Sequence, residues 1–223
     1  MELRYARNIP ALTETECQIL RRKHVLVVGC GGLGGHIIDQ LTRIGVGFLR
    51  VVDGDVFEPS NLNRQLLSSV PLLGVSKANA AAEHIARVNP DITAEAAATF
   101  LTEDNASELL EGCDIVLDAL DNIRSRKVLA AACEKANIPY IYGAISGWVA
   151  QAAISMPGDR LTDTLYPEEI EIRDKSVLSF TPALCASMQT ALCVKLLLGR
   201  SVETGTIYYF DLLNQEFETI PMV

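Results

Sequence analysis

The chain has 223 residues, 49% of them hydrophobic and 21% charged, so a full apolar core can be buried in one large domain. A formal charge of -9 argues against a broad nucleic-acid-binding face, which needs clustered Lys and Arg. The N-terminus carries no long apolar run, so neither a signal peptide nor a membrane span is expected, and six scattered cysteines without a C-x-x-C pair suit reduced thiols in the cytoplasm.

Arg4, Tyr5 and Arg7 precede Pro10, and a short helix is predicted from Thr13 to Arg22. The uninterrupted apolar run Val25 to Val28 predicts a strand buried on both faces of a parallel sheet. Gly29, Gly31 and Gly34 follow as G-x-G-x-x-G, with Gly32 and Gly35 as further glycines. Then Leu33, Ile37, Ile38, Leu41 and Ile44 recur at helical spacing. Strand, glycine turn and helix together predict a nucleotide site, because backbone N–H groups can approach phosphate oxygens where no side chain intervenes. Phe48 to Val52 is the second strand. It ends in Asp53, where a Rossmann-type site places an acid on the ribose hydroxyls.

A dinucleotide dehydrogenase would read the same way up to this point; the next segment breaks that reading. Asp55 to Gln65 is a polar loop holding Asn61 and Arg64, and Lys77 heads an alanine-rich helix that runs to about Val88. Two cations behind the ribose acid suit a triphosphate better than a pyrophosphate bound by backbone amides. Taken singly, each reads as a surface charge. Ile92 to Ala98 is a weak strand, and Thr102 is expected to cap a short helix to Leu110. Asp114 to Leu120 is a buried strand with Asp121-Asn122 at its C-terminal end, the edge where ligands bind in open α/β sheets. Asp121 is a candidate magnesium ligand; it also reads as the cap of the helix Arg124 to Ala136. Strands follow at Tyr140 to Ile145 and Val149 to Met156. Residues 157–180 lack a period and are expected to form a functional or mobile loop. An apolar helix from Thr181-Pro182 through Leu198 and a hairpin, Thr206 to Phe210 with Glu216 to Ile220, complete the chain. The fold expected is α/β: a Rossmann-like, mostly parallel sheet with helices on both faces, extended by antiparallel strands. One domain spans 1–223: an arm and helix at 1–24, a nucleotide-binding core at 25–156, the loop, and a C-terminal helix and hairpin at 181–223.

With these residues in place the chain resembles the ThiF/MoeB/HesA family of ubiquitin-activating-enzyme-like adenylyltransferases. The motifs are GCGGLGG at 29–35, DGDVFEPSNLNRQ at 53–65, GVSKA at 74–78 and LDALDN at 117–122, with RYAR at 4–7 and the late helix at 181–199. The resemblance implies attack by the C-terminal Gly-Gly carboxylate of a small ubiquitin-like sulfur carrier on the α-phosphorus of ATP, as in molybdopterin or thiamin synthesis. It puts Gly29, Gly31, Gly32 and Gly34 under the nucleotide and Asp53 on the ribose. Asp55, Gln65 and Asn122 fall in the same motifs and join the nucleotide site. Asn61, Arg64 and Lys77 go to phosphates and Asp121 to Mg2+, while Arg7 reaches in from the partner subunit of a homodimer. The leader's other reading is a solvated segment on the surface. Relatives commonly carry two C-x-x-C pairs for a structural zinc, and some carry a cysteine before the last helix. This chain has neither, so no zinc and no covalent thioester are expected. Cys185, the nearest thiol, lies in an apolar helix and is a poor nucleophile. Two other functions fit the same fold: ATP-dependent dehydration of a tRNA nucleoside, and a non-catalytic partner subunit.

Overall fold

Eight strands pair edge to edge into one sheet in a computed structural model that describes residues 2–168 and 176–222. The strands are β1 (His24–Val28), β2 (Phe48–Val52), β3 (Thr93–Ala97), β4 (Ile115–Asp118), β5 (Tyr140–Ser146), β6 (Val149–Ser155), β7 (Thr206–Asp211) and β8 (Glu216–Pro221). Their spatial order is β3-β2-β1-β4-β5-β6-β7-β8; the first five are parallel, the rest antiparallel. The helices are α1 (Glu14–Leu20), α2 (Gly32–Ile44), α3 (Lys77–Val88), α4 (Ala106–Leu110), α5 (Ile123–Ala136), α6 (Leu161–Leu165) and α7 (Phe180–Leu197).

Both faces of β1 are buried, which is why its sequence does not alternate. Val25 and Val27 pack with Ile37, Ile38, Leu41, Ile85 and Cys185 on one side. Leu26 and Val28 pack with Leu110, Val116, Leu129 and Tyr142 on the other. Helix α7 is long and apolar enough to cross a membrane by length and composition. Here it lies against α2, β5 and β6, with Cys185, Ala186 and Cys193 in the core.

β2 and β3 lie on one side of β1 and β4 on the other, so the chain reverses its direction of winding between β1 and β4. In open α/β sheets that reversal opens a crevice at the C-terminal strand ends.

Several local expectations needed correction. Thr102 does not cap the helix that follows: Asn105 stands at its start, with Thr102 and Asn105 bonded to each other's backbone, and the helix begins at Ala106. The cap of α5 is Asn122, whose Oδ1 accepts from Ser125 N at 2.8 Å, rather than Asp121. Within 157–180 lies helix α6, too short at five residues to leave a period. Residues 169–175 of that expected loop lie outside the described residues. The leader is not simply solvated. Residues Leu3–Asn8 form a 3-10 turn, and Tyr5, 4% exposed, accepts from Asn89 Nδ2 at 2.7 Å.

Candidate active site

The glycine turn is built by close approach. Gly29 has φ +99°, and a Cβ there would stand 2.5 Å from the Ala119 carbonyl oxygen. At Gly34 a Cβ would meet the Gly29 carbonyl oxygen at 1.7 Å, so this residue lets α2 press against the turn. Gly29 N donates to Val52 O at 2.8 Å and Ala119 N to Val28 O at 2.9 Å, which ties the ends of β1, β2 and β4 together. Above them a cavity of about 300 Å³ opens.

The cavity gathers Gly29, Gly31, Gly32, Asp53, Asp55, Arg64, Gln65, Lys77, Asp121 and Asn122 from five separate parts of the sequence. Asp53 accepts Cys30 N at 2.7 Å and Asp55 N at 2.8 Å. Burial raises its pKa, partly offset by those two N–H groups. Lys77 is not a surface charge: it is 7% exposed and its Nζ reaches Asp55 Oδ2 at 3.1 Å. Its position at the first turn of α3 follows from Ser76, whose hydroxyl caps the helix. Arg64 lays its stem beside Gly32, and its Nη1 donates to Ser60 O at 2.9 Å and Asn63 Oδ1 at 2.8 Å. Gln65 is 7% exposed, and its Oε1 has no hydrogen-bond partner among the described residues.

Three expected residues stand apart from the cavity lining. Gly34 is beneath it. Asn61, 7% exposed, spends its amide inside the loop, accepting from Glu58 N at 3.0 Å and donating to Ser60 Oγ at 3.3 Å. Arg7 is exposed two residues beyond Tyr5, whose ring abuts Gly45 at the C-terminal end of α2. The glycine turn is at the other end of that helix, about 20 Å away at 1.5 Å per residue.

Sequence reasoning missed part of the lining. Thr99, Phe100 and Leu101 enter from the loop after β3, and Phe100 is 62% exposed with its ring against Gly54. Tyr166 and Val177 close the far side. An isolated polar aromatic or an exposed Phe gives no spacing signal. At the floor of the cavity sits a buried ion pair, Asp118 with Arg126 at 3.2 Å, of which Arg126 borders the cavity. Burial raises the pKa of Asp118, against the pull of Arg126, the Tyr140 hydroxyl at 2.6 Å and Leu120 N. A carboxylate inside an apolar strand was the available clue, since such a charge requires a partner.

Chemically the arrangement suits a nucleoside triphosphate. The turn would be filled by any side chain, Gln65 presents an orphaned buried oxygen, and Lys77 and Arg64 supply positive charge. Of the three cavity-lining carboxylates, Asp53 accepts two backbone N–H groups and Asp55 pairs with Lys77, which leaves Asp121 for magnesium, with only a long 3.4 Å bond from Asn122 Nδ2 among the described residues. That fits a hard cation that keeps its waters and shares phosphate oxygens. Among the described residues no group of three or more His, Cys, Asp or Glu could hold a metal ion. Cys185 is 1% exposed, and burial pushes its thiol up to about 12.

Comparison with known proteins agrees with this geometry. The sequence profile of the ThiF family matches residues 5–223. The chain is 35% identical over 210 residues to the SAMP-activating enzyme E1 of Haloferax volcanii, covering 91% of this chain and 77% of that one. It is 30% identical over 231 residues to a probable molybdopterin-synthase adenylyltransferase of Porphyra purpurea, covering 99% of this chain but only 60% of that one. In fold it is similar to a crystal structure of E. coli MccB with ATP, at TM-score 0.82 and 20% identity, covering 100% of this chain and 71% of that one. The chain therefore belongs to the ThiF family, among relatives that are adenylyltransferases.

Proposed function

We propose that this chain is an ATP-dependent adenylyltransferase that activates the C-terminal glycine carboxylate of a small ubiquitin-like sulfur carrier of the molybdopterin or thiamin type. The observation that carries the reading is the joint lining of one cavity by a glycine turn, an acid after β2, and the two cations Arg64 and Lys77. The carrier's carboxylate is ionised at neutral pH and needs no general base. Its oxygen attacks the α-phosphorus, the bond from that phosphorus to the bridging oxygen breaks, and pyrophosphate leaves with the electron pair. The product is an acyl-adenylate. The work left to the protein is positioning and charge neutralisation. Asp53 holds the ribose; Arg64 and Lys77 neutralise the leaving phosphates, with Asn61 shaping the loop that carries Arg64. Magnesium held at Asp121 would supply further positive charge to the phosphate oxygens.

Arg7 acts in trans in this reading. Its own chain anchors it at the far end of α2 from its own cavity, so only a second copy could bring it to a site. A homodimer about a two-fold axis does this twice. Arginine suits the task because its planar, permanently charged head binds two phosphate oxygens. The setting is the cytoplasm, consistent with six free, buried cysteines. The net charge of -9 gives no support to a tRNA substrate, whose backbone calls for a basic surface.

ATP–pyrophosphate exchange with candidate carriers ending in Gly-Gly tests the reading. Exchange that depends on the carrier and on its terminal glycine supports it. Binding of ATP without exchange for any such carrier would contradict it.

A further inference from the structure

Four backbone groups in the corner after β4 are fixed by side chains or neighbouring strands. Gln189 Nε2, on α7, donates to Asp118 O at 2.8 Å. Ala119 N donates to Val28 O at 2.9 Å. Leu120 N donates to Asp118 Oδ1 at 2.8 Å, and Leu120 O accepts from Arg126 Nη2 at 2.5 Å. Both polar groups of Leu120 are therefore held by the two members of one ion pair, and the next residue is Asp121.

The pair is itself held. Asp118 Oδ2 accepts from the Tyr140 hydroxyl, and Arg126 lies over the Tyr142 ring with its guanidinium carbon 4.9 Å from the centroid. Asp118 is 0% and Arg126 4% exposed. Two charges taken out of water in this way are costly, and replacing such a pair by apolar residues is often neutral or stabilising. Stability alone is then a weak reason to keep it. Its geometry supplies a better one: Arg126 Nη2 bonds Leu120 O while Nη1 meets Asp118 at 3.2 Å through charge, without a hydrogen bond, and such directed contacts hold a backbone corner more rigidly than apolar packing.

We propose that the Asp118–Arg126 pair is a positioning device for Asp121: by clamping both backbone groups of Leu120 it holds the Asp121 carboxylate at the cavity mouth where the nucleotide-bound metal is met. The proposal rests on the reading of the cavity as an ATP–magnesium site. Asp118 does not line the cavity; Arg126 borders it but is 4% exposed, with its guanidinium turned to Asp118 and Leu120 O. They act through Asp121.

The test is the affinity of a non-hydrolysable ATP analogue, measured by calorimetry with saturating Mg2+ and again with EDTA, together with the melting temperature of each variant. Wild type should bind more tightly with Mg2+, and Asp121→Asn should lose that gain while binding as before in EDTA. Arg126→Lys keeps a buried cation but loses the fork. It should lose tenfold or more of the Mg2+-dependent gain, with EDTA affinity changed less than twofold. Combined with Asp121→Asn it should add nothing further, as expected for two residues acting on one contact. Tyr140→Phe, which keeps the ring and removes one bond to Asp118, should lose two- to threefold of the same gain, and it decides the matter if Arg126→Lys does not fold. An unchanged Mg2+ gain in the folded variants, equal losses with and without Mg2+, or additive losses in the double variant would overturn the proposal. Wild type binding the analogue equally well with and without Mg2+ would refute the metal role of Asp121 itself, and the clamp with it.

Discussion

Strands β2 and β4 flank the glycine turn, and each delivers an acid to the same crevice, but the two acids are used differently. Asp53, just past β2, accepts two backbone N–H groups, has no ion-pair partner among the described residues, and lines the cavity. Asp118, the last residue of β4, is sealed away and paired with Arg126. The cations divide in the same way. Lys77 and Arg64 line the cavity, and their charge is satisfied only by an exposed carboxylate or by neutral oxygens. Arg126 is committed to Asp118 and to the Leu120 carbonyl. In the proposed reading the first set is left available to a ligand, while the second, although Arg126 borders the cavity, is spent on Asp118 and the Leu120 backbone.

Substitutions should separate the sets. Asp118→Ala has the largest expected effect on stability, about 3–5 kcal/mol, because it leaves Arg126 as an uncompensated buried charge. Urea denaturation should show it. A loss below about 1 kcal/mol would mean that the pair is not structural. Lys77→Ala should do the reverse. The exposed Asp55 left behind returns to water and the desolvation cost of the buried ammonium goes with it, so stability should fall by less than about 1 kcal/mol. Exchange should slow a hundredfold or more, on the order of 3 kcal/mol, the scale of losing one charge-stabilising group. Near-normal exchange by a folded Lys77→Ala enzyme would remove the lysine from the site.

Arg7 tests whether the ligand-facing set is complete within one chain. Arg7→Ala and Lys77→Ala should each be inactive alone, and mixing them under conditions of subunit exchange should restore part of the activity through dimers holding one intact composite site. Demonstrated exchange without recovery would rule out action in trans.

The smallest effect should come from an acid in neither set. The Asp39 side chain on α2 is 16% exposed; burial pushes its pKa up, but bonds from His84 at 2.8 Å and Arg43 hold it at about 2, below its ordinary 3.8. A depressed pKa means its contribution is present above about pH 4 and fades as pH falls toward 2. Discounted because its partner Arg43 is exposed, that is on the order of 1 kcal/mol. Asp39→Asn should flatten stability against pH in that window and leave exchange at neutral pH unchanged.

The ligand-facing set was legible in the sequence because its chemistry dictates spacing: glycines where backbone must touch backbone, an acid at a strand end, a lysine at a helix start. β1, β4 and the first half of β5 were legible for a related reason, since burial on both faces leaves continuous apolar runs, whereas the part-exposed β3 gave only a weak signal. The supporting set was not. Arg126 and Gln189 reach Asp118 from different helices, 8 and 71 residues away in sequence, and no local pattern encodes that meeting. Phe100 and Tyr166 likewise arrive from loops whose course depends on tertiary packing. Asp121 was found, but its capping role belongs to Asn122, because both residues can cap and a one-residue shift is invisible without geometry.

Which phosphorus is attacked is the central claim, and the nucleotide product reads it directly. Wild-type protein, ATP, Mg2+ and a Gly-Gly-ending carrier should be quenched in a single turnover and resolved by intact mass and nucleotide chromatography. Attack at the α-phosphorus predicts a carrier heavier by one adenylyl group and one pyrophosphate released per carrier modified. Release of ADP and phosphate, with the carrier unmodified by adenylate, would contradict the account.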